Sequence, residues 1–262
     1  MPMAEKTLQA LLFDVDGTLA DTERDGHRVA FNRAFRDAGL DWNWDVDLYG
    51  KLLAVTGGKE RIRHFLDEFH RDFPRPADLD DFIAALHRTK TDHYTRLLAE
   101  GQIPLRPGIE RLLREARNAG LRLAIATTTT PANVEALITH TLGADALDWF
   151  EVIAAGDIVP AKKPAPDIFV WALEQMNLAP EAALAFEDSG NGIRASVGAG
   201  LPTVVTINDY TRDHDFDAAL LVLDHLGEPD LPARLLTGPE TALGDKGYLT
   251  VDDLQRLHAA AS

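Results

Sequence analysis

Two aspartates, Asp14 and Asp16, end an apolar run and precede a glycine in the stretch LFDVDGTLADTE. Such a short apolar run is typical of a strand buried on both faces, so the aspartates should lie where that strand ends. Gly17 allows a turn that separates the two carboxylates. One aspartate could then attack phosphorus while the other moves a proton to and from the reacting oxygens.

Polar side chains also follow the later apolar runs, and in chain order they are Thr127, Lys162, Lys163, Glu187 and Asp188. In open α/β sheets ligands bind beyond the carboxyl ends of the strands, so these side chains should meet in one crevice. Converging carboxylates favour a bound cation, and ligands made of oxygen alone suit Mg²⁺. A lysine and a hydroxyl beside them could hold a phosphoryl group.

Simpler interpretations exist for each motif alone. DVDGTLADTE resembles a calcium loop poorly, because Thr18 stands where such loops carry an acidic or amide residue and the glycine comes one position early. KKPAPD could be a charge pair before a helix, and EDSGNG could be a capped helix start. Their occurrence together at successive strand ends favours catalysis.

Alternating apolar runs and amphipathic segments predict the elements that must position these residues. Strands are predicted at residues 8–14, 121–127, 150–157, 182–188 and 201–207, with a sixth at 218–224. Helices are predicted between them at residues 109–119, 132–142, 167–177 and 190–199. This alternation predicts an α/β fold with a doubly wound parallel sheet.

Residues 20–101 interrupt the alternation with helical patterns near 23–38, 59–69 and 79–99 and no convincing strand. We predict an inserted α-helical domain there, with hinges near 19–22 and 101–106. The α/β core then comprises residues 1–19 and 102–236. Residues 237–262 form a C-terminal tail in which Thr250 could cap a last short helix.

Composition limits the partners of the chain. Its 262 residues are 45% hydrophobic, enough for a packed core, and the 26 Lys and Arg against 42 Asp and Glu give a net charge of −16. That charge argues against nucleic acid and anionic membranes as partners, and an anionic substrate would need local cations or a metal. The sequence has no cysteine, no apolar signal core in residues 1–10 and no membrane-length apolar segment, so we expect a cytoplasmic protein, and also a monomer.

The motifs together resemble those of the haloacid dehalogenase superfamily, in order and over residues 8–207. DVDGT resembles the first motif, Thr127 after LAIA the second, KKPAPDIF the third and FEDSGNGIRAS the fourth. The resemblance implies a Rossmann-like core, with Asp14 as the nucleophile that forms an aspartyl-phosphate and Asp16 as the acid and base. It also implies that Thr127 and Lys163 bind the phosphoryl group, Lys163 rather than Lys162 because it directly precedes PAPD.

The same resemblance implies Mg²⁺ as the cofactor, with metal contacts from Asp14, Asp16, Glu187 and Asp188. For Asp16 the implied contact is the backbone carbonyl. The helical insertion resembles the cap domain of members that act on small phosphorylated metabolites, so we expect the cap to select the substrate.

Two glycines before two cations in VTGGKERI could hold a second, non-reacting phosphate, although such cations can also be surface charges. For Arg88 the surface interpretation has equal weight. The candidate substrate contacts are Glu23, Gly57, Gly58, Lys59, Arg61, Arg88, Lys90, Thr128 and Thr129.

Within the superfamily, DTERDGHRVAFN, GGKERI and TTTTPANV resemble the CbbY-type proteins of Calvin-cycle operons. That resemblance implies a phosphatase that converts xylulose 1,5-bisphosphate, an inhibitory by-product of Rubisco, to xylulose 5-phosphate and phosphate. A β-phosphoglucomutase-like phosphotransferase and a non-catalytic sugar-phosphate-binding protein remain alternatives. The mutase group typically has a histidine four positions after the hinge threonine, whereas here Gly26 holds that place after Thr22 and His27 follows.

Overall fold

The computed structural model describes residues 7–261 and contains one seven-stranded sheet. Its strands are β1 (Ala10–Phe13), β2 (Arg122–Thr127), β3 (Phe150–Ala155), β4 (Ala183–Glu187), β5 (Thr203–Thr206), β6 (Leu221–Leu223) and β7 (Leu235–Thr237). They lie in the order β3-β2-β1-β4-β5-β6-β7, and every pair is parallel except the antiparallel pair of β6 and β7. The predicted parallel sheet and its sixth strand are therefore confirmed, and β7 is an addition.

The α-helices are α1 (Arg28–Asp37), α2 (Val46–Leu52), α3 (Gly58–His64), α4 (Leu79–Ala99), α5 (Ile109–Asn118), α6 (Pro131–Leu142), α7 (Asp167–Met176), α8 (Gly190–Gly198) and α9 (Val251–Ala261). Two π-helical turns, Glu23–His27 and Phe65–Phe69, precede α1 and follow α3. Short 3₁₀ turns lie at Ala144–Trp149, Pro180–Ala182 and Gly244–Lys246. All predicted helices are present, and the sequence pattern missed only α2 among these α-helices.

Side chains of β1 alternate between two apolar clusters on opposite faces of the sheet. Leu11 and Phe13 belong to a cluster with side chains of α5, α6 and α9, whereas Ala10 and Leu12 pack with α7 and α8. Helices therefore cover both faces, as a doubly wound fold requires. Because α9 joins the first cluster, the C-terminal tail packs against the core.

The helical insertion has an apolar cluster of its own, rich in aromatic rings. Phe35 and Trp44 pack edge to face with ring centroids 4.9 Å apart. The Asn32 amide donates to the carbonyl of Trp44 and accepts from its N–H, both at 2.8 Å, which joins α1 to the segment before α2. The two connections to the core run side by side, since Ala20 bridges to Leu105.

Within residues 7–261, no helix is both long enough and apolar enough to cross a membrane. The expectation that residues 1–10 hold no signal core rests mostly on residues 1–6, which lie outside the described part. The predicted ends of the core and of the tail, residues 1 and 262, lie outside it as well.

Candidate active site

The carboxyl ends of three neighbouring strands form the floor of a cavity of about 430 Å³. Asp14 follows β1 and is held by a hydrogen bond from its N–H to the carbonyl of Phe186 at 3.0 Å. Thr127 ends β2, and Glu187 ends β4. The sheet order thus brings Asp14 together with two residues that lie more than 100 positions after it in the chain.

Lys163 joins two carboxylates at the bottom of this cavity. Its Nζ donates to Asp14 Oδ1 at 2.7 Å and to Glu187 Oε1 at 2.6 Å, and all three side chains are buried. Burial alone would lower the pKa of Lys163, but the charges of Asp14 and Glu187 outweigh it and raise the pKa. Lys163 is therefore an ammonium ion that can stabilise negative charge beside Asp14.

Three carboxylates, Asp14, Glu187 and Asp188, form a compact acidic cluster. Each offers an oxygen atom within 4.8 Å of the others, and all three residues are buried. Burial raises the pKa of Glu187 to about 7, and burial with the nearby charges of Asp14 and Glu187 raises that of Asp188 well above its ordinary value. A hard divalent cation fits this all-oxygen set and would relieve the repulsion between the carboxylates.

The Asp16 side chain faces the cap instead of this acidic cluster. Its Oδ1 atom accepts a hydrogen bond from Thr22 Oγ1 at 2.5 Å and contacts His27 Nε2 at 2.8 Å, while His27 Nδ1 lies 2.8 Å from Lys90 Nζ. Whether the shared proton sits on Lys90 or on His27, Nε2 donates to Asp16. The metal contact predicted for the backbone carbonyl of Asp16 stays a prediction.

These contacts set the charges of Asp16 and Lys90. Burial raises the pKa of Asp16. The charge and hydrogen bond of His27 and the hydrogen bond from Thr22 lower it by more than that, so the pKa of Asp16 lies below its ordinary value. Burial lowers the pKa of Lys90 to about 8. Asp16 is therefore a carboxylate in this structure, with a proton donor on its oxygen.

His27 reaches Asp16 through the π-helical turn Glu23–His27. The backbone N–H of Arg28 donates to the carbonyl of Glu23, five residues earlier, instead of the four of an α-helix. The turn thereby absorbs the additional residue that separates His27 from the hinge threonine. The spacing of His27 from Thr22 is visible in the sequence, but His27 was not predicted as a site residue. That spacing was the one local feature of the sequence that could have pointed to His27.

Glu23 and Arg61 meet over the cavity on the cap side. Arg61 donates to the Tyr49 hydroxyl at 2.7 Å and to Glu23 Oε2 at 3.5 Å, and the Tyr49 hydroxyl donates to the same Glu23 oxygen. Arg61 is only 7% exposed. Tyr49 was not predicted as a site residue, because it lies on the short helix α2 that the sequence pattern missed.

A second cavity, of about 470 Å³, adjoins the first. Four residues line both cavities: Asp16, Glu23, Arg61 and Thr128. The other predicted substrate contacts that line the second cavity are Gly57, Gly58, Lys59, Lys90 and Thr129. The structure does not bring Arg88 to either cavity, since its side chain is exposed on α4.

Comparison with known proteins agrees with the motifs. A model of haloacid dehalogenase-like hydrolases matches residues 8–200. The plasmid-encoded protein CbbY of Cupriavidus necator is 51% identical over 225 residues, which cover 86% of this chain and 88% of CbbY. A phosphorylated carbohydrates phosphatase of Thermotoga maritima is 29% identical over 206 residues, 79% of this chain and 88% of that protein.

A crystal structure of a CbbY point mutant from Rhodobacter sphaeroides, in complex with xylulose 1,5-bisphosphate, superposes with a TM-score of 0.79. The two sequences are 50% identical, and the match covers 85% of this chain and 96% of that one. The predicted superfamily and the resemblance to CbbY are therefore confirmed.

Proposed function

This chain belongs to the haloacid dehalogenase-like hydrolases as a sugar phosphatase, and we propose that it hydrolyses xylulose 1,5-bisphosphate to xylulose 5-phosphate and phosphate. The observation that carries the proposal is the pair of adjoining cavities, one around Asp14 and one around Gly57, Gly58 and Lys59. A substrate with a phosphate at each end suits such a pair. The related CbbY binds this bisphosphate in its crystal structure.

In the proposed first step, a carboxylate oxygen of Asp14 attacks phosphorus, and the bond from phosphorus to the sugar oxygen breaks. Asp16 gives its proton to the leaving oxygen. Because Asp16 is a carboxylate before the reaction, it must first take up a proton. His27 Nε2 can deliver it while the proton shared with Lys90 stays on or moves to His27 Nδ1, which leaves a neutral imidazole and a neutral Lys90 amine. In the second step Asp16 removes a proton from water, whose oxygen attacks phosphorus of the aspartyl-phosphate. The bond between phosphorus and the Asp14 oxygen breaks, which releases inorganic phosphate and restores the Asp14 carboxylate.

The remaining groups hold the transferring phosphoryl group. Lys163 and Thr127 lie beside Asp14, where a charge-assisted and a neutral hydrogen bond can reach the phosphoryl oxygens. Mg²⁺, which we propose binds at Asp14, Glu187 and Asp188, would supply positive charge that favours attack by a carboxylate on an anionic phosphate.

At the other end of the substrate, the non-reacting phosphate is proposed to bind in the second cavity. Gly57 and Gly58 line that cavity, and Lys59 and Lys162 supply positive charge. Lys59 and Lys162 both pair with Asp157, at 2.9 and 3.0 Å. An incoming phosphate would compete with that carboxylate for the two ammonium groups.

A phosphotransferase like β-phosphoglucomutase is the second candidate, because the structure places a histidine on Asp16 despite the altered spacing. Measuring inorganic phosphate and sugar-phosphate isomers in the same reaction separates the two functions. Phosphate release in step with substrate loss supports the phosphatase, and isomer formation without phosphate release supports the mutase. The non-catalytic alternative is set aside, because the matched family consists of hydrolases and the Thermotoga maritima relative is a phosphatase.

Asp14→Asn tests the mechanism. Replacing the nucleophile should lower kcat at least about 10⁴-fold with Mg²⁺ present, while the circular dichroism spectrum stays unchanged. Asp25→Asn is a matched control, since Asp25 is exposed on the hinge turn and lines neither of the two cavities. Activity retained by Asp14→Asn would contradict the aspartyl-phosphate pathway, and no phosphate release from xylulose 1,5-bisphosphate by the unmodified protein would contradict the proposed substrate.

A further inference from the structure

Asn208 follows β5 and lies against the acidic cluster. Its Nδ2 atom donates to Asp188 Oδ2 at 2.6 Å, and Asn208 also lines the cavity that contains Asp14. None of the four sequence motifs includes this residue, and the mechanism proposed above does not use it.

The orientation of the Asn208 amide is fixed by its own loop. Its Oδ1 atom accepts a hydrogen bond from the backbone N–H of Tyr210 at 2.9 Å, and its backbone N–H donates to Thr211 Oγ1 at 2.9 Å. Because a backbone N–H can only donate, the atom facing Tyr210 must be the amide oxygen. The Nδ2 group is therefore the one that faces Asp188.

Gly17 makes room for this contact. A Cβ atom at that position would lie 2.7 Å from Asn208 Nδ2 and 2.2 Å from Asp188 Oδ2, and the backbone there has a φ of +87°. The glycine of the first motif thus admits the asparagine and the aspartate side by side. This close approach is a local reason for a glycine at position 17, besides the turn it permits.

We propose that Asn208 is a positioning residue that holds Asp188 for a divalent cation in the acidic cluster of Asp14, Glu187 and Asp188. The hydrogen bond occupies one oxygen of Asp188, fixes the rotation of the carboxylate and leaves the other oxygen for the cation. The inference rests on the metal site of the proposed function.

The loop that carries Asn208 also contacts the cap. Asp209 pairs with Arg24 at 3.1 Å, and the ring of Tyr210 packs edge to face against Tyr49 with centroids 6.1 Å apart. The two residues that follow Asn208 are therefore braced by the cap, while Asn208 itself contacts the core. A braced donor suits the task of holding a metal ligand in one orientation.

Direct cation binding to the metal-free full-length protein tests the proposal, with Mn²⁺ as the probe and free Mn²⁺ measured by electron paramagnetic resonance. Two variants are compared: Asn208→Ala removes the amide, and Asn208→Leu removes it while keeping a similar volume. Loss of the hydrogen-bond partner of a metal ligand typically weakens metal binding by at least about ten-fold. Both variants should therefore raise the Kd for Mn²⁺ by roughly that factor. Arg212→Ala is the control, because Arg212 lies exposed on the same loop and pairs with Asp209.

The outcomes separate the two levels of the argument. A ten-fold weaker Kd in both variants, with Arg212→Ala unchanged and folding intact by circular dichroism, supports the positioning role. Unchanged Mn²⁺ binding in both variants overturns the positioning role but leaves the metal site intact. Weakened binding in Asn208→Ala alone also overturns the positioning role, because it would show that the lost volume of the side chain, and not the lost amide, weakens binding. No Mn²⁺ binding by the unmodified protein overturns the metal site itself, and the positioning role with it.

Discussion

Two nearby cations of the cap, Lys59 and Arg61, occupy very different environments. The side chain of Lys59 is 43% exposed and pairs with Asp157, a carboxylate that is itself 61% exposed. Arg61 is buried and bonded to Tyr49 and Glu23. Exposed ion pairs contribute at most about 1 kcal/mol, so Lys59 can leave its partner for a ligand at little cost, whereas Arg61 is already fixed in place.

Lys59→Met should therefore change substrate binding and leave folding intact. Because Lys59 is proposed to contact the non-reacting phosphate, we expect KM for a sugar bisphosphate to rise about ten-fold, with KM for the corresponding monophosphate nearly constant. Steady-state phosphate release measures both constants. Lys51→Met on the exposed side of α2 is the control, and equal changes of KM for the two substrates would show that Lys59 is only a surface charge.

At the scale of the secondary-structure elements, local sequence patterns predicted the strands and helices whose formation depends mainly on residues close together in the chain. The apolar runs predicted six strands, and the residues that end them, such as Asp14 and Glu187, follow from that pattern. The 3-residue edge strand β7 is too short and too exposed to show a periodicity. Helix α2 has 7 residues and is held by its Asp45 cap and by burial of Tyr49 and Leu52, so most of its stability is tertiary.

The contacts that complete the site were unpredictable for a related reason. His27 meets Asp16, Tyr49 meets Glu23, and Asn208 meets Asp188 only after distant segments pack together. The spacing of residues within one segment cannot predict a contact between side chains of two distant segments. The π-helical turn adds a further difficulty, because helical periodicity assumes a constant repeat, which this turn breaks.

Gly26→Ala tests how tightly the π-helical turn is packed. A Cβ atom there would lie 2.6 Å from Ile103 Cδ1 and 2.9 Å from Tyr94 Cε2, so the variant should lose about 1–3 kcal/mol of unfolding free energy. Urea denaturation measures the loss. Gly198→Ala is the matched control, since its Cβ would meet Pro166 at 3.5 Å and should leave stability equal or up to about 1 kcal/mol higher. Equal stabilities of the two variants would contradict the tight packing.

At the scale of the whole molecule, the site lies between the cap and the core. Lys59 and Glu60 of the cap pair with Asp157 and Lys162 of the core, and the second cavity is lined by Lys59, Asp157 and Lys162. A closed cap shields the reacting groups from bulk water, which strengthens their electrostatic interactions. The net charge of −16 repels an anionic substrate at long range, so we expect binding to depend on these local cations and on the proposed Mg²⁺.

The metal should make its largest contribution to stability at alkaline pH. Burial raises the pKa of Glu187 to about 7 without a cation, against an ordinary value of 4.5. Between these values the folded protein binds more protons than the unfolded chain, so the stability contributed by Glu187 is complete below pH 4.5 and is lost as pH rises through 7. A cation needs the deprotonated carboxylates, so its binding offsets this loss mainly above pH 7.

Mg²⁺ should therefore raise the unfolding free energy of the metal-free protein more at pH 8 than at pH 5.5. At pH 8 the expected increase is about 2.7 kcal/mol when the Mg²⁺ concentration is 100 times Kd. The quantity to compare is the increase in unfolding free energy caused by Mg²⁺, since the stability without metal also depends on His87. Burial lowers the pKa of His87 to about 3, so its contribution to stability rises as pH rises to 6.5, opposite to that of Glu187. Urea denaturation with and without Mg²⁺ measures the increment at each pH. Asp188→Asn should abolish most of it, and an equal increment at both pH values would show that the buried carboxylates do not bind the cation.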